Sequence, residues 1–519
     1  MSSRPARSRS RPGRRAPTTA LHHGLYAGLV LLSGLAWLVS GDWIAALAIW
    51  VLWAGWRLLP SGEGPPVLAM AYTFQWIQVT AGLWYYALTG IRLPALDVPD
   101  LRPMMLIGLG CLVALLAGLR AGAHLVRPFL PERGDARPAF GWRALIAVYL
   151  ASVALTGTVQ EFAWETPSLT QGILALTYAR FALLFLMFRR LSQGKIRIGW
   201  IGAILAGEVV LGFTGYFAGF REPMMMAAMA LTGAFDRRKV RHWVALAGLG
   251  CVMLLTGVIW MGIRTEYRRD FEDQVFARSR EVRLDRIGAL SSRWMDRSPT
   301  EMLSDVDLFI DRLWAVYYPA LALGRVPALM PHESGEILRE AVIHALTPRV
   351  LFPDKPGVES DSEKVRRYAG VFVAGPEENT SIAFGYAGEA YVDFGVPLMF
   401  VPVLGFGLLM GVAYQALLRL IRHRELAVAS VTVIFWLSLY LFERSWINML
   451  GLSLTLIAYL GGVTLVADRL LLSRRAIAGP VPARPWPRPR SSAWREDARP
   501  RGPAPGMARR EPSAPRRET

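Results

Sequence analysis

Long apolar stretches alternate with short polar ones along most of this chain. A helix needs about 20 apolar residues to cross the hydrocarbon core of a bilayer. Stretches of this general kind can be drawn at 22–40, 43–60, 66–89, 104–126, 143–159, 169–188, 199–219, 222–235, 243–263, 395–418, 426–442 and 447–468. The pattern therefore predicts an all-α polytopic membrane protein with about 12 transmembrane helices.

Basic residues between these stretches indicate which side of the membrane each connection faces. If the N-terminus is inside, the connections predicted to be cytoplasmic carry Arg57, Arg127, Arg133, Arg137, Arg189, Arg190, Lys195, Arg197, Arg237, Arg238, Lys239, Arg241, Arg419, Arg422 and Arg424. The predicted outer connections are mostly short or contain acids, as at 160–168. Cytoplasmic loops of membrane proteins carry an excess of Lys and Arg. We therefore expect both termini to be cytoplasmic.

The net charge of +18 is concentrated in two tails. Residues 1–20 and 471–519 are rich in Arg together with Pro or Ser, a composition typical of disordered segments. Basic tails beside a membrane bind anionic lipids, so we predict cytoplasmic tails of this kind and no nucleic-acid partner. The only two cysteines, Cys111 and Cys251, lie in apolar stretches, which excludes a disulfide framework.

The predicted organisation has five parts. The basic N-tail, 1–20, precedes nine transmembrane helices in 21–263, and a large extracytoplasmic loop occupies 264–394. Three further transmembrane helices follow in 395–470, and the basic C-tail is 471–519. The loop is predicted to be mostly helical, because Ser298-Pro299-Thr300-Glu301 is a capping box that opens a helix through about 317. A second helix is predicted over 334–346.

Two charged residues fall in the middle of predicted membrane helices. Arg180 and Glu208 lie on adjacent antiparallel segments at similar depth. An unpaired charge at that depth costs several kcal/mol, so we expect them to pair. The pair either fixes helix packing or takes part directly in substrate passage.

A second group of charges gathers at the predicted outer membrane surface. Arg221, Arg264 and Arg444 each lie at the end of a different apolar stretch, and Glu443 precedes Arg444. Arginine side chains match the geometry of phosphate groups, although single arginines at helix ends also occur simply as interfacial residues. Their convergence favours a phosphate-bearing lipid at this surface.

The second half of the loop adds further candidates. Arg349 and Arg367 supply cations, and Glu389 and Asp393 are four residues apart, which places them on one face of a helix. A carboxylate beside cations can accept a proton from a sugar hydroxyl; alternatively, these acids are solvated at a helix entry. His332 and His344 are isolated, and we expect neither a metal nor a cofactor.

Three segments carry a family resemblance. PRVLFPDKP at 348–356, TSIAFGYAGEAYVDFG at 380–395 and the glycine-rich VPVLGFGLLMG that follows resemble the Wzy-type O-antigen and oligosaccharide repeat-unit polymerases. O-antigen ligases are near relatives with similar architecture. The resemblance implies an enzyme of the bacterial cytoplasmic membrane that acts on undecaprenyl-pyrophosphate-linked oligosaccharide at its outer face. A chain-length regulator or a flippase of the same pathway would be a partner.

The resemblance also suggests roles for the candidate residues. Glu389 and Arg264 would be catalytic, Glu389 as the base, and Arg221, Arg349, Arg444 and Arg367 would bind the pyrophosphate. Three alternatives remain open: a ligase that transfers finished glycan, a transporter whose pathway is lined by Arg180 and Glu208, and a scaffold within an assembly complex.

Overall fold

The structure, a computed structural model, describes residues 19–60, 65–90, 98–131, 141–166, 169–193, 197–213, 219–269, 280–349, 351–352, 354–355, 357–378 and 380–477. The regular elements within these ranges are helices, without a β-strand, which confirms the all-α class. Most of both predicted tails falls outside the described residues. The chain divides into two units, Met1–Arg469 and Leu470–Thr519, and the sites discussed below all belong to the first.

Ten helices precede the predicted loop. They are α1 Thr19–Ser40, α2 Trp43–Leu58, α3 Val67–Thr89, α4 Leu101–Val126, α5 Trp142–Glu165, α6 Thr170–Thr177, α7 Ala179–Ser192, α8 Ile198–Phe213, α9 Arg221–Gly233 and α10 Val240–Arg269. Helix α10 runs past the predicted boundary at residue 264.

The remaining helices form the loop and the C-terminal segment. In the loop they are α11 Arg280–Met295, α12 Pro299–Leu313, α13 Tyr317–Leu323, α14 Glu336–Leu346, α15 Asp361–Ala369 and α16 Gly385–Phe394. After it come α17 Phe400–Leu420, α18 Arg424–Leu439, α19 Trp446–Thr455, a π-helical turn Leu456–Gly461, and α20 Gly462–Ile477.

Five segments among the described residues are long and apolar enough to cross a membrane. They are Leu101–Phe129, Thr170–Ser192, Val240–Arg269, Phe400–Leu420 and Trp446–Leu471. Four shorter apolar helices accompany them, at Tyr26–Ser40, Trp43–Leu58, Trp142–Thr156 and Ile198–Gly212. These helices are compatible with a membrane protein, but the prediction of about twelve transmembrane helices is not supported.

The predicted count is too high because apolar stretches do not all form full-length helices. The stretch at 222–235 forms α9, whose 13 residues extend only about 20 Å. The stretch at 426–442 forms α18, whose 16 residues extend about 24 Å. Both fall short of the roughly 30 Å hydrocarbon core. Helix α18 is also buried along most of its length, so its apolar character serves protein packing.

Glycines allow α4 and α17 to pack with their backbones in contact. A Cβ on Gly407 of α17 would lie 2.6 Å from the carbonyl oxygen of Leu115 on α4, and one on Gly118 of α4 would collide with the backbone of Leu404 on α17. Small residues spaced by four allow such close approach between helices. The two helices therefore form a closely packed pair.

Two buried amides of α3 hold the end of α18. Gln78 donates to the carbonyl of Tyr440 at 2.8 Å and accepts the backbone N–H of Phe442 at 3.0 Å. Gln75 donates to the carbonyl of Leu439 at the end of α18 and accepts the hydroxyl of Tyr386 on α16 at 2.8 Å. These bonds satisfy backbone groups that the end of a helix leaves unpaired, and they fix the turn that carries Glu443.

The capping box at the start of α12 forms as the sequence indicates, with Ser298 and Glu301 bonded reciprocally. The helix ends at Leu313 rather than near 317, because Trp314 turns into α3. Its indole N–H donates to the carbonyl of Val79 at 2.9 Å, and its ring fills the space that Gly82 leaves open. This anchor places the last turn of α12 against the end of α18.

Candidate functional site

A cavity of about 1570 Å³ lies where the loop meets the apolar helices. It is lined by parts of α6, α10, α12, α14 and α19 and by the turns between them. Its cationic lining residues are Arg264, Arg268, Arg269, Arg312, Arg349 and Arg444. The structure thus brings together three arginines singled out from the sequence with three that were not.

Fewer acids than arginines line this cavity. Its carboxylates are Asp311, Asp361 and Glu443, so cations outnumber them two to one. Asp361 accepts the side-chain amide of Asn448 at 2.8 Å, and Glu443 is paired with Arg312. The net positive charge of the lining residues favours an anionic ligand.

One wall of the cavity is apolar. It includes Leu174 and Ala175 of α6, Ile447 and Leu452 of α19, and Leu441 in the turn before α19. A ligand with a charged head and a hydrocarbon tail would therefore find a matching surface for each part.

The final turns of α10 supply three of the arginines. Arg264 and Arg268 are four residues apart, so they share one face of the helix. The loop braces this segment through Arg297, which pairs with Asp305 at 2.9 Å and donates to the carbonyl of Gly262 at 3.3 Å. Helix geometry sets the spacing of Arg264 and Arg268, and the Arg297 contact joins the loop to the preceding turn of α10.

Arg444 lies in the turn between α18 and α19. It donates to the carbonyl of Leu437 at 2.6 Å and lies over the ring of Tyr440. Burial lowers the pKa of Arg444 from its ordinary value, but a guanidinium stays charged at any physiological pH.

Arg221 reaches the same tyrosine from a different helix. It donates to the hydroxyl of Tyr440 at 2.7 Å and pairs with Glu222 at 3.3 Å. Arg221 is not among the residues that line the cavity. Arg221 is therefore linked to the cavity only indirectly: it bonds Tyr440, and the ring of Tyr440 contacts the guanidinium of Arg444.

Arg312 and its neighbour Asp311 enter from the loop. The charge of Glu443 raises the pKa of Arg312 above its ordinary value, while burial raises that of Asp311. Neither residue was singled out from the sequence. The capping box that positions α12 is visible there, but the meeting of Arg312 with Glu443 depends on how Trp314 docks.

His344 and Arg349 line the cavity at the end of α14. Lys355 holds this turn by donating to the carbonyls of His344 at 2.8 Å and Thr347 at 2.9 Å. Burial, then the charges of Lys355 and Arg349, lower the pKa of His344. A neutral imidazole in this position can accept a proton. From the sequence, His344 was weighed only as a metal ligand.

Glu389 lies away from the cavity lining. It is fully buried, accepts the ammonium of Lys364 at 3.1 Å and the backbone N–H of Trp446 at 2.5 Å. Burial raises the pKa of Glu389 to about 7. Asp393 is buried as well and accepts the backbone N–H groups of Ile337 and Leu338. Glu389 thus joins the loop to α19, and Asp393 fastens the start of α14 within the loop. These bonds occupy both carboxylates, which does not favour Glu389 as the base.

Arg367 also lies outside the cavity lining. It pairs with Glu359 at 2.6 Å, and about half of its side chain is exposed. Arg180 and Glu208 meet within the apolar helices, with Arg180 Nη2 3.1 Å from Glu208 Oε2. The hydroxyl of Tyr149 donates to the same carboxylate. Glu208 is thus bonded by both Arg180 and Tyr149. Such mutual pairing of buried polar groups is suited to holding helices together.

Within the described ranges, no group of three or more His, Cys, Asp or Glu side chains could hold a metal ion. A family model described as a domain of unknown function (DUF8712) matches residues 142–420, more than half of the chain. No curated protein matches the sequence. No solved structure matches it either. The matched segment includes Arg264, Arg312, His344 and Arg349, whereas Glu443 and Arg444 follow it.

Proposed function

We propose that this chain, which belongs to the DUF8712 family, is a membrane glycosyltransferase that uses a lipid-linked pyrophosphate as the donor. In the polymerase form of this reaction, a growing glycan passes from undecaprenyl pyrophosphate onto the sugar end of an incoming lipid-linked repeat unit. The cavity would face the outer side of the bacterial cytoplasmic membrane, and both termini would be cytoplasmic. Residues 142–420, which the family model matches, would form the larger part of such an enzyme.

The observation that carries the proposal is the convergence of six arginines on one cavity with an apolar wall. A polyprenyl pyrophosphate combines a doubly charged head with a long hydrocarbon tail, so its two parts match the two kinds of lining. Charged hydrogen bonds to phosphate are short and strong when they are shielded from water. A large volume is also required, because donor and acceptor glycans must both enter.

The bond that breaks joins the anomeric carbon of the donor sugar to a pyrophosphate oxygen. Negative charge then develops on the leaving pyrophosphate, and cations held nearby stabilise that charge most strongly in the transition state. Arg264, Arg312 and Arg444 approach from three separate parts of the chain, so together they can surround the leaving group. Arg349 supplies a further cation on the loop side.

The bond that forms joins the same anomeric carbon to a hydroxyl oxygen of the acceptor sugar. That hydroxyl must lose its proton to a base in the cavity. We assign this role to His344, because it lines the cavity and because burial and the neighbouring cations lower its pKa, which favours the unprotonated imidazole. Glu389, the residue suggested by the resemblance, is already bonded to Lys364 and Trp446.

The proposal can be tested in a strain that lacks this gene. The measurements are the length distribution of the surface glycan and the pool of lipid-linked intermediates. Loss of polymer with single repeat units left on the lipid supports the polymerase. Long polymer that stays on its lipid carrier would instead identify a ligase, which performs the same chemistry on another acceptor. Unchanged pools would overturn the proposal.

Complementation then connects the phenotype to the cavity. Arg264→Gln should fail to restore polymer. Arg339→Gln is the matched control, since Arg339 is exposed and pairs with Glu336 on the surface of α14. Equal expression of both variants in the membrane must be verified, and equal complementation by both would argue against the cavity as the active site.

A further inference from the structure

A second, smaller cavity of about 420 Å³ lies between α7, α9 and the start of α10. Its lining combines the basic residues Arg189, Lys239 and His242 with apolar ones such as Phe185 and Met229. Its volume is within the roughly 300–1,000 Å³ range of small-ligand pockets. The basic residues belong to connections that the sequence assigns to the cytoplasmic side.

His242 presents a buried donor without a partner. Its side chain is 3% exposed, and its Nδ1 accepts the backbone N–H of Asp236 at 2.9 Å. The proton of the neutral imidazole must therefore be on Nε2. Among the described residues, Nε2 has no hydrogen-bond partner. A buried donor left in this state costs free energy unless a ligand accepts its proton.

Arg189 contributes a second donor of the same kind. Its Nη1 is buried and has no hydrogen-bond partner within the described part of the chain. The adjacent Arg190 is different, because it binds the carboxylate of Glu425 through two contacts of 2.5 and 3.3 Å. The pocket thus holds two N–H groups, from α7 and α10, without a partner among the described residues. The ammonium of Lys239, which pairs with Asp236 at 3.2 Å, belongs to the same lining.

We infer that this pocket binds a phosphate group, either that of an anionic phospholipid or a free phosphate. Arginine and imidazole N–H groups donate to phosphate oxygens, and the positive charge supplies attraction. Basic pockets between membrane helices on the cytoplasmic side are a recurrent way to hold anionic lipid headgroups. The apolar residues of the lining suit the part of a lipid nearest its headgroup.

The position of the pocket favours the lipid. His242 and Arg264 stand at opposite ends of α10, and their 22-residue separation corresponds to about 33 Å along the helix. This distance is close to the roughly 30 Å thickness of a bilayer core. A headgroup bound at His242 would thus lie at the membrane face opposite the large cavity. The inference does not depend on the reaction proposed for that cavity.

The experiment measures ligand binding to the purified full-length protein in detergent by native mass spectrometry. The probes are phosphatidylglycerol, which is anionic, phosphatidylcholine, which is zwitterionic and has no net charge, and inorganic phosphate. Two variants remove the unused donors: Arg189→Gln, and His242→Asn, whose side-chain oxygen can still accept the Asp236 N–H. Arg238→Gln makes the same change of charge at an exposed position of the same connection.

We expect phosphatidylglycerol to bind in preference to phosphatidylcholine, and each pocket variant to weaken that binding about tenfold, as loss of a charge-assisted hydrogen bond does. Arg238→Gln should leave it nearly unchanged. Competition by inorganic phosphate would identify free phosphate as the ligand. The inference is overturned if both lipids bind equally, if neither lipid nor phosphate binds, or if all three variants bind like the wild type. Thermal unfolding without ligand verifies that the variants are folded.

Discussion

Arg312 and Glu443 form a bidentate ion pair, with Arg312 Nη2 donating to Glu443 Oε1 at 3.1 Å and Nη1 binding the other oxygen. The two residues are 131 positions apart in the chain. One ends the loop helix α12, and the other lies in the turn between α18 and α19. Because both also line the large cavity, the pair joins the loop to the apolar helices at the candidate site.

Glu443→Gln should reduce activity far more than stability. Half of the Arg312 side chain is exposed, and exposed ion pairs contribute only about 0–1 kcal/mol. The released Arg312, however, would no longer be held in the cavity, and we expect turnover to fall about tenfold or more. Assays of the single variants and of Arg312→Gln/Glu443→Gln measure the coupling. Strictly additive effects on turnover would refute the idea that the pair positions Arg312.

Arg264→Gln should lower kcat by about 10²–10³-fold, the usual effect of removing one group that stabilises transition-state charge. Arg264→Lys should recover part of the activity, because an ammonium keeps the charge without the planar fork. The measurement is glycan transfer from a lipid-linked donor by purified protein. A change confined to KM would instead indicate that Arg264 binds donor and transition state equally.

Lys355→Met should move the acidic limb of the pH–rate profile to higher pH. Burial and the charges of Lys355 and Arg349 lower the pKa of His344. Removing one of these cations makes the imidazolium easier to form, so the pKa of His344 rises and the unprotonated base is lost at a higher pH. Arg339→Met is the control: it removes an exposed cation from α14, the helix that carries His344, and should leave the profile unshifted. If His344→Gln retains full activity, another group is the base.

Glu389 should make stability depend on pH. Burial raises the pKa of Glu389 from 4.5 to about 7, so the folded state binds its proton more tightly than the unfolded state does. The resulting stabilisation is complete below about pH 4.5 and disappears as the pH rises through about 7. The Tm of the wild type should therefore fall relative to that of Glu389→Gln across this interval. Parallel Tm curves would contradict the assignment, and Glu336→Gln, at an exposed site, controls for charge alone.

Gly407→Ala should destabilise the protein, whereas Gly405→Ala on the same helix should not. A methyl group at 407 meets the backbone of Leu115 at 2.6 Å, but one at 405 has no atom within 4 Å. Overpacking of this kind costs about 1–3 kcal/mol, while alanine in place of an unconstrained helical glycine adds up to about 1 kcal/mol. Thermal unfolding of the two variants should shift in opposite directions.

Much of the local structure follows from the sequence. The capping box at Ser298 forms because its partner is only three residues away. The small residues at 118 and 122 and at 407 and 411 carry the four-residue spacing that close helix contact requires. The predicted number of transmembrane helices was too high because a helix buried in protein can be as apolar as one that faces lipid. Helix α18 is such a buried helix.

The membership of the site could be predicted only in part. Arg264 and Arg444 were singled out because they lie near the ends of apolar stretches, and Arg349 as a cation of the loop's second half; all three do line one cavity. Glu389 was singled out by its segment, yet the structure surrounds it with Lys364 and Trp446. Arg312 and His344 carry no local signal that distinguishes them from the other charged residues of the loop.

The sequence by itself determined that the chain is helical, that many of its helices are largely apolar and that several arginines lie at the ends of apolar stretches. Those properties depend on residues within one or two helical turns of each other. Only the tertiary structure decided which side chains share a cavity and which are sealed in ion pairs. The packing of Trp314 against Gly82 and the bonds from Gln78 to the end of α18 bring residues together across hundreds of positions, and no local pattern encodes that meeting.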